Sequence, residues 1–477
     1  MDPGHGSLAA DLNRIAVPVV AVIALAAGCV LKSPPDAAAI RAQALPAVHV
    51  PDAWTSASTG AAAAGNNWLA TFSDAQLSEA VAEAIAHNAD LRVGAVRAEE
   101  ALLHAKLAGA RLYPSVDVLA RGGGKMSGDN SGLSGAALTV SWEVDLWGRV
   151  RYGRAAASAD AASAQADFEF ARQSIAARVA RSWFLATEAA LQAELARRTI
   201  TDAEALVRLA EDRARIGVGN EEEVYVARAT VGGYRDTLSL IELGREQAIR
   251  ALESLLGRYP AGAAAVTAQL PAQPTDVPAG LPSQLLERRP DVIAAERRIA
   301  AAFNRVGEAK AARLPVIGLT AGVSSISSEL FVLQNRDNPI WNFGANLVAP
   351  IYRGGALKTQ VEIRTAEQKE AVAAYAVVGL QAFSEVEAAL LAEFAARDRE
   401  GILAQTLADN RRALDVVQRQ FSVGSTDLRF VTQRQLAMLA TESALIHVQA
   451  EQRVQRVNLH LALGGSFEAQ PQPQPQP

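Results

Sequence analysis

Four short stretches of the chain alternate apolar and polar positions, in a background otherwise patterned for helix. In GAALTVSWEV (Gly135–Val144), Leu138, Val140, Trp142 and Val144 fall on one side, with Thr139, Ser141 and Glu143 on the other. This period of two marks a half-buried strand. Val116, Val118 and Ala120 alternate in the same way with Asp117, Leu119 and Arg121. Ile317, Leu319, Ala321 and Val323 oppose Gly318, Thr320, Gly322 and Ser324; Trp341, Phe343, Ala345, Leu347 and Ala349 oppose Asn342, Gly344, Asn346 and Val348. After each strand pair, an alanine-rich, Leu- and Arg-studded stretch predicts a very long helix, over Ala155–Ile216 and Ala356–Val423. At 1.5 Å per residue each would extend about 90–100 Å. Helices of that length belong in coiled assemblies or helical tubes.

The pattern is written twice. NADLRVGAVRAEEALLHAKLAGARLYP, ending at Pro114, matches RPDVIAAERRIAAAFNRVGEAKAARLP, ending at Pro315, and each helix starts near an aspartate (Asp90, Asp291). VSWEVDLWGR then aligns with NLVAPIYRGG, setting Trp147 opposite Tyr352, and RIGVGNEEEV aligns with SVGSTDLRFV, setting Gly217 opposite Gly424. The period of about two hundred residues indicates duplication and not a solenoid. The expected layout is residues 74–257 and 283–465 as two structural repeats, 29–73 as an N-terminal segment, 258–282 as a proline-rich connector, and 466–477 as a Gln/Pro tail.

Each strand is about nine to eleven residues, the length that a tilted transmembrane strand requires. One face is apolar and the other polar or small, as expected for lipid outside and water inside. Trp147 and Tyr352 close equivalent strand ends and Trp341 lies at the opposite end of its strand, the places of an aromatic girdle. Four strands cannot close a barrel, and an open edge cannot face lipid. The chain is therefore expected to share a barrel with copies of itself, two giving a narrow barrel and three a wide one with a lumen.

Composition narrows this further. Half of the 477 residues are hydrophobic, yet only 5% are aromatic, which suits long, closely packed helices. A net charge of −5 and a pI near 5.8 leave no basic footprint for nucleic acid. Six histidines and three methionines give little material for a metal site, and weigh against a dedicated soft-metal exporter. The single cysteine, Cys29, ends the run IAVPVVAVIALAAGC. A short apolar region followed by small residues reads as a signal peptide over residues 1–28, and LAAGC resembles a bacterial lipobox that would leave Cys29 lipidated. The n-region departs from the usual pattern, with Asp2 and Asp11 against Arg14. Beyond it, no run of about eighteen consecutive apolar residues is found, so any membrane crossing is expected to use strands.

Several blocks identify a family. WLATFSDAQLSEAVAEAIAHNADL (Trp68–Leu91), DLWGR (Asp145–Arg149), GLPSQLLERRPDVIAAERRIAAA (Gly280–Ala302), ARLPVIGLTAG (Ala312–Gly322), APIYRGG (Ala349–Gly355) and LALGG (Leu461–Gly465) follow in the order and spacing of the TolC-like outer-membrane efflux factors. The chain resembles the lipoprotein branch that serves RND-type tripartite pumps. That resemblance implies a mixed, mainly α fold in a homotrimer. A transmembrane β-barrel of four strands per subunit would continue into a long periplasmic α-helical barrel. It implies a lipid-anchored exit duct in the bacterial outer membrane, passively conducting small molecules, with an adaptor protein and an inner-membrane RND transporter as partners. Helical hairpin tips would meet the adaptor at Gly217, Val218, Gly219 and Asn220, and at Gly424, Ser425 and Thr426. The periplasmic constriction, leucine and aspartate in many relatives, falls here on Arg429 and Gln433, and a ring of arginines would need an acid such as Asp427 or Glu222.

Enzymatic readings are poor. RGGGKMSG (Arg121–Gly128) has Met126 where a phosphate loop requires Ser or Thr and reads as a strand connection. Glu143 and Asp145 are expected to be solvated on the lumen face, and Glu221, Glu222 and Glu223 on a tip surface. His87 and His104 lack an HExxH arrangement and read as surface or packing residues; no cofactor is expected beyond the lipid on Cys29. Two alternatives stay open: a duct for type I protein secretion, or a lipid-anchored periplasmic helical scaffold.

Overall fold

The structure is a computed structural model that describes residues 31–56, 65–121, 134–266, 269–274, 279–327 and 340–468. The elements repeat in kind and in length. Helix α1 (Ala37–Ala44) and a 3-10 turn at Trp68–Phe72 precede the first repeat. This comprises α2 (Ala75–His87), α3 (Ala89–Ala110), β1 (Ser115–Arg121), β2 (Ser134–Val144), α4 (Arg149–Arg215) and α5 (Glu221–Leu256). The second comprises a short helix α6 (Pro282–Arg288), α7 (Pro290–Ala311), β3 (Val316–Ser327), β4 (Ile340–Val348), α8 (Ala356–Ser422) and α9 (Leu428–Ala462). The paired helices α3 and α7 have 22 residues each, and α4 and α8 have 67 each.

The described residues fall into two compact units, and each repeat contributes to both. One unit takes residues up to Val48, Val96–Ala166 and Ala294–Val377; the other takes His49–Ala95, Asp167–Ile293 and Val378 onward.

The first unit holds the sheet. Its order is β1-β2-β3-β4 with every neighbour antiparallel. The register stacks like on like. Val118, Leu138, Val323 and Trp341 form one cross-strand row, and Val116, Val140, Ala321 and Phe343 form another. The other face carries Asp117, Thr139, Gly322 and Asn342 in one row, and Ser115, Ser141, Thr320 and Gly344 in the next. The alternation read from each strand alone is thus coherent across all four, as a single-register sheet requires. The apolar face is not a core: Val118 is 75% exposed and Phe343 is 83% exposed.

Helix α4 starts at Arg149, six residues before the expected position. The cause is a cap. Asp145 accepts the backbone N–H of Val150 at 3.0 Å and of Arg151 at 2.8 Å, satisfying donors that a helix start leaves free. Asp145 also accepts from Arg151 Nε at 3.2 Å, while Glu143 accepts from Arg149 Nε at 3.0 Å. The two carboxylates expected to be solvated in the lumen are therefore part-buried anchors for the strand-to-helix turn. Helix α8 also departs from expectation: over eighteen residues it is long and apolar enough to cross a membrane by length and composition, with only a third of that window buried. Its alanines and spaced leucines supply that hydropathy without an unbroken apolar run.

The second unit holds the clusters that matter for the tips and for the RRPDV block. One cluster centres on Trp68, Phe72, Leu77, Ile175, Val179, Phe184 and Leu252. Clipping it together, Asn67 N–H donates to Ser466 O at 2.8 Å, and Trp183 Nε1 donates to Asp74 at 3.1 Å. The RRPDV block lies in this unit. Arg289 is almost fully buried, donating to Asp291 and Glu385 at 2.7 Å each and to Ala462 O at 3.3 Å. Glu387 of α8 holds the segment before Trp68, accepting the Thr55 and Ser56 backbone N–H groups at 2.8 and 3.0 Å.

Candidate functional site

Two reversals of the chain, built alike, join the long helices to their partners in the second unit. At the end of α4, Gly217 adopts φ +80°, its N–H donates to Ala214 O at 3.1 Å, and Val218 N–H donates to Arg213 O at 3.0 Å. At the end of α8, Gly424 adopts φ +77°, its N–H donates to Phe421 O at 3.0 Å, and Ser425 N–H donates to Gln420 O at 2.9 Å. This paired pattern is the Schellman motif, which uses a left-handed glycine to satisfy the last carbonyls of a helix. The following helices are capped alike: Asn220 accepts Glu223 N–H at 2.8 Å, and Asp427 accepts Arg429 N–H at 3.1 Å. Glu221, Glu222 and Glu223 occupy the first turn of α5, where negative charge suits the helix dipole.

Arg429 is exposed and ion-paired. Its Nε and Nη2 donate to Asp427 Oδ2 at 3.0 and 2.8 Å. The Asp427 carboxyl is held below its usual range by the Arg429 side chain first and the Arg429 backbone N–H next. The guanidinium is correspondingly raised by the Asp427 hydrogen bond and charge, with a small contribution from Glu222. Gln433, one turn along, is also exposed. Exposed apolar side chains crowd the same two tips: Val218 and Ile216 on one, Val423 and Phe430 on the other.

A residue that pattern reading did not single out ties the tips together. Arg213, in the last turn of α4, is buried; its Nη1 donates to Phe421 O at 2.7 Å and its guanidinium lies 4.5 Å above the Phe421 ring. A cation carried in the last turn of α4 thus bonds a terminal carbonyl of α8. Around it, Ala227, Leu414, Phe421, Leu428 and Val431 close a small core drawn from both hairpins. An arginine in an Arg-rich helix gives no sequence sign of such a partner.

The candidate interface aromatics lie in the first unit. Trp147 follows β2 and donates from Nε1 to Pro315 O at 2.8 Å, while Tyr352 follows β4 and is almost fully exposed. Trp341, near the start of β4, is 70% exposed. His104 is exposed beside Glu100 at 3.6 Å, and His87 is exposed at the end of α2. Among the described residues, no three His, Cys, Asp or Glu side chains form a metal-binding group. Cys29, the signal-like run before it, RGGGKMSG after Arg121, and residues 469–477 of the tail lie outside the described residues.

The outer membrane efflux protein family model matches residues 80–258 and 281–465, nearly the whole of both repeats. The chain belongs to that family. It is an efflux channel of the bacterial outer membrane, the function and location that the resemblance implied. The cation efflux system protein CusC of Escherichia coli is 28% identical over 89% of this chain and 94% of its own length. The pyoverdine export outer membrane protein OpmQ of Pseudomonas aeruginosa is 29% identical over 88% and 92%. The open-state structure of the MtrE outer membrane channel of Neisseria gonorrhoeae superposes with a TM-score of 0.81 at 25% identity, covering 92% of this chain and 98% of that one.

Proposed function

We propose that this efflux family member is the exit duct of a tripartite pump, assembled as a homotrimer around one shared barrel. The sheet carries this reading. Among the described residues β1 and β4 each have an unpaired edge, and no residue of the apolar face is buried, Val118, Trp341 and Phe343 being largely exposed. An isolated sheet of that kind cannot sit in lipid, because each unsatisfied backbone group would cost several kcal/mol. Copies joined edge to edge remove the edges and turn the apolar rows outward. Lipid on Cys29 would add an anchor at the chain's mature N-terminus. The hairpin tips at Gly217–Asn220 and Gly424–Thr426, with their exposed valines, would meet the adaptor. Arg429, Asp427 and Gln433 would line the aperture. Energy would come from an inner-membrane RND transporter through that adaptor, the duct itself being passive and its cargo small molecules.

The native mass of the detergent-extracted, outer-membrane-fractionated protein tests the assembly. A trimer is expected. A stable monomer would leave four strands with open edges and end the shared-barrel reading. Palmitate labelling that is lost in Cys29→Ser, with the protein still exported, checks the anchor.

A further inference from the structure

A half-open cavity of about 520 Å³ lies in the second unit between α4, α8 and α9. Its walls are largely apolar, from Phe170, Ala388, Ala389, Ala392 and Leu461. Its polar groups are unevenly matched. Arg181 of α4 enters the cavity half-buried, and its hydrogen bond is to an amide oxygen, Nη1 to Asn458 Oδ1 at 2.9 Å. Asn458 Nδ2 in turn donates to Gln455 Oε1 at 3.1 Å. That chain of bonds fixes the amide orientations and leaves the Gln455 NH₂ and the remaining Arg181 N–H groups as donors on the same cavity wall.

The cavity has one carboxylate, Glu385, and it is already engaged: it accepts from Arg289 at 2.7 Å and from Gln381 at 2.9 Å. Burial first, and then the nearby Arg178 charge, push the Arg181 guanidinium below its ordinary value, with no carboxylate among the described residues opposing them. A part-buried cation without an acid partner is costly unless something else supplies the acceptor.

We infer that this cavity is a binding site for a small organic monoanion, a carboxylate on an apolar body. The carboxylate takes donors from Arg181 and Gln455, and the body lies on the Phe170 and alanine walls. Guanidinium and carboxylate match as charge-assisted, two-point partners. The site goes beyond the duct reading and does not depend on where cargo passes.

The test uses full-length protein in amphipol and two probes, 4-fluorobenzoate and its neutral isostere 4-fluorobenzamide, followed by fluorine NMR line broadening. The acid is expected to bind and the amide to bind weaker by on the order of tenfold or more, the scale of a hydrogen bond to a charged group. Arg181→Gln should weaken the acid by a similar factor. Gln455→Glu, which leaves the arginine but supplies a resident carboxylate, should do the same. Equal binding of acid and amide, undiminished binding in both variants, or no broadening with the unaltered protein would each overturn the inference. Native mass on the same samples keeps it apart from the trimer: a trimer that ignores the acid sinks the site and leaves the duct standing.

Discussion

Arg429 and the two tip glycines carry separate risks. At Gly217 and Gly424 the backbone is left-handed, a conformation that costs an L-residue with a Cβ about 1–2 kcal/mol. Alanine at either should therefore loosen its tip by roughly that amount, seen as faster amide exchange at 213–220 or 420–427, with the rest of the chain unchanged. Asp427 has two duties, capping α9 and holding Arg429. In the trimer, three Arg429 guanidinium groups would share one aperture, and their pairing with Asp427 offsets the repulsion. We expect Arg429→Ala to reduce anion preference in single-channel recordings, and Asp427→Ala to increase it. Unchanged conductance and selectivity in both would remove Arg429 from the aperture. The sequence showed the glycines through the repeated tip pattern, and the departure at Arg429 only through the family resemblance. It did not show Arg213 or the engaged state of Glu143 and Asp145. The first depends on a partner 208 positions away, and the second on a cap that only the folded turn reveals.

Among the elements, the strands were legible and the straps were not. Period-two alternation named the apolar face of each strand, and the register then placed those faces in common rows. Val140 lies in one such row, so Val140→Asp should impair barrel insertion, while Ser141→Asp on the opposite face should be tolerated. Depth-dependent penalties for a charge on the lipid face reach roughly 2–4 kcal/mol for basic residues and less for acidic ones. The readout is the yield of membrane-embedded trimer. The Glu387 strap is sensitive to pH. Its burial raises the carboxyl's pKa, but hydrogen bonds from Ser56 and Thr55 outweigh that and hold it below its ordinary value. A lowered folded pKa gives stability that is complete above the unfolded value of about 4.5 and is lost as pH falls through the folded one. Residues 54–56 should therefore become increasingly accessible to an acid-stable protease as the pH is taken further below 4.5, while remaining protected above it. Equal cleavage on both sides would show that the strap is held by other contacts.

At the scale of the whole molecule, the duplication was readable and the compact units were not. Repeats follow the chain, so matched blocks expose them. The units cut across both repeats, because each long helix contributes one end to each unit. Arg289 shows the same limit. The RRPDV block stands out in sequence, yet its burial against Glu385 and the end of α9 depends on segments 96 and 173 residues away. Truncating a buried ion-pair partner typically costs about 3–5 kcal/mol. We expect Arg289→Ala to lower the melting temperature markedly and to reduce trimer yield. An unaltered melt would mean that the block is kept for something other than its ion pairs.

The equal lengths of α4 and α8 have a consequence for how such a chain can change. Arg213 meets Phe421 only while both helices reach the same level. One extra turn near the end of α4, about four residues, would carry the guanidinium roughly 5.4 Å past its carbonyl. A lineage that lengthens one leg must lengthen the other, or build a new fastening between them.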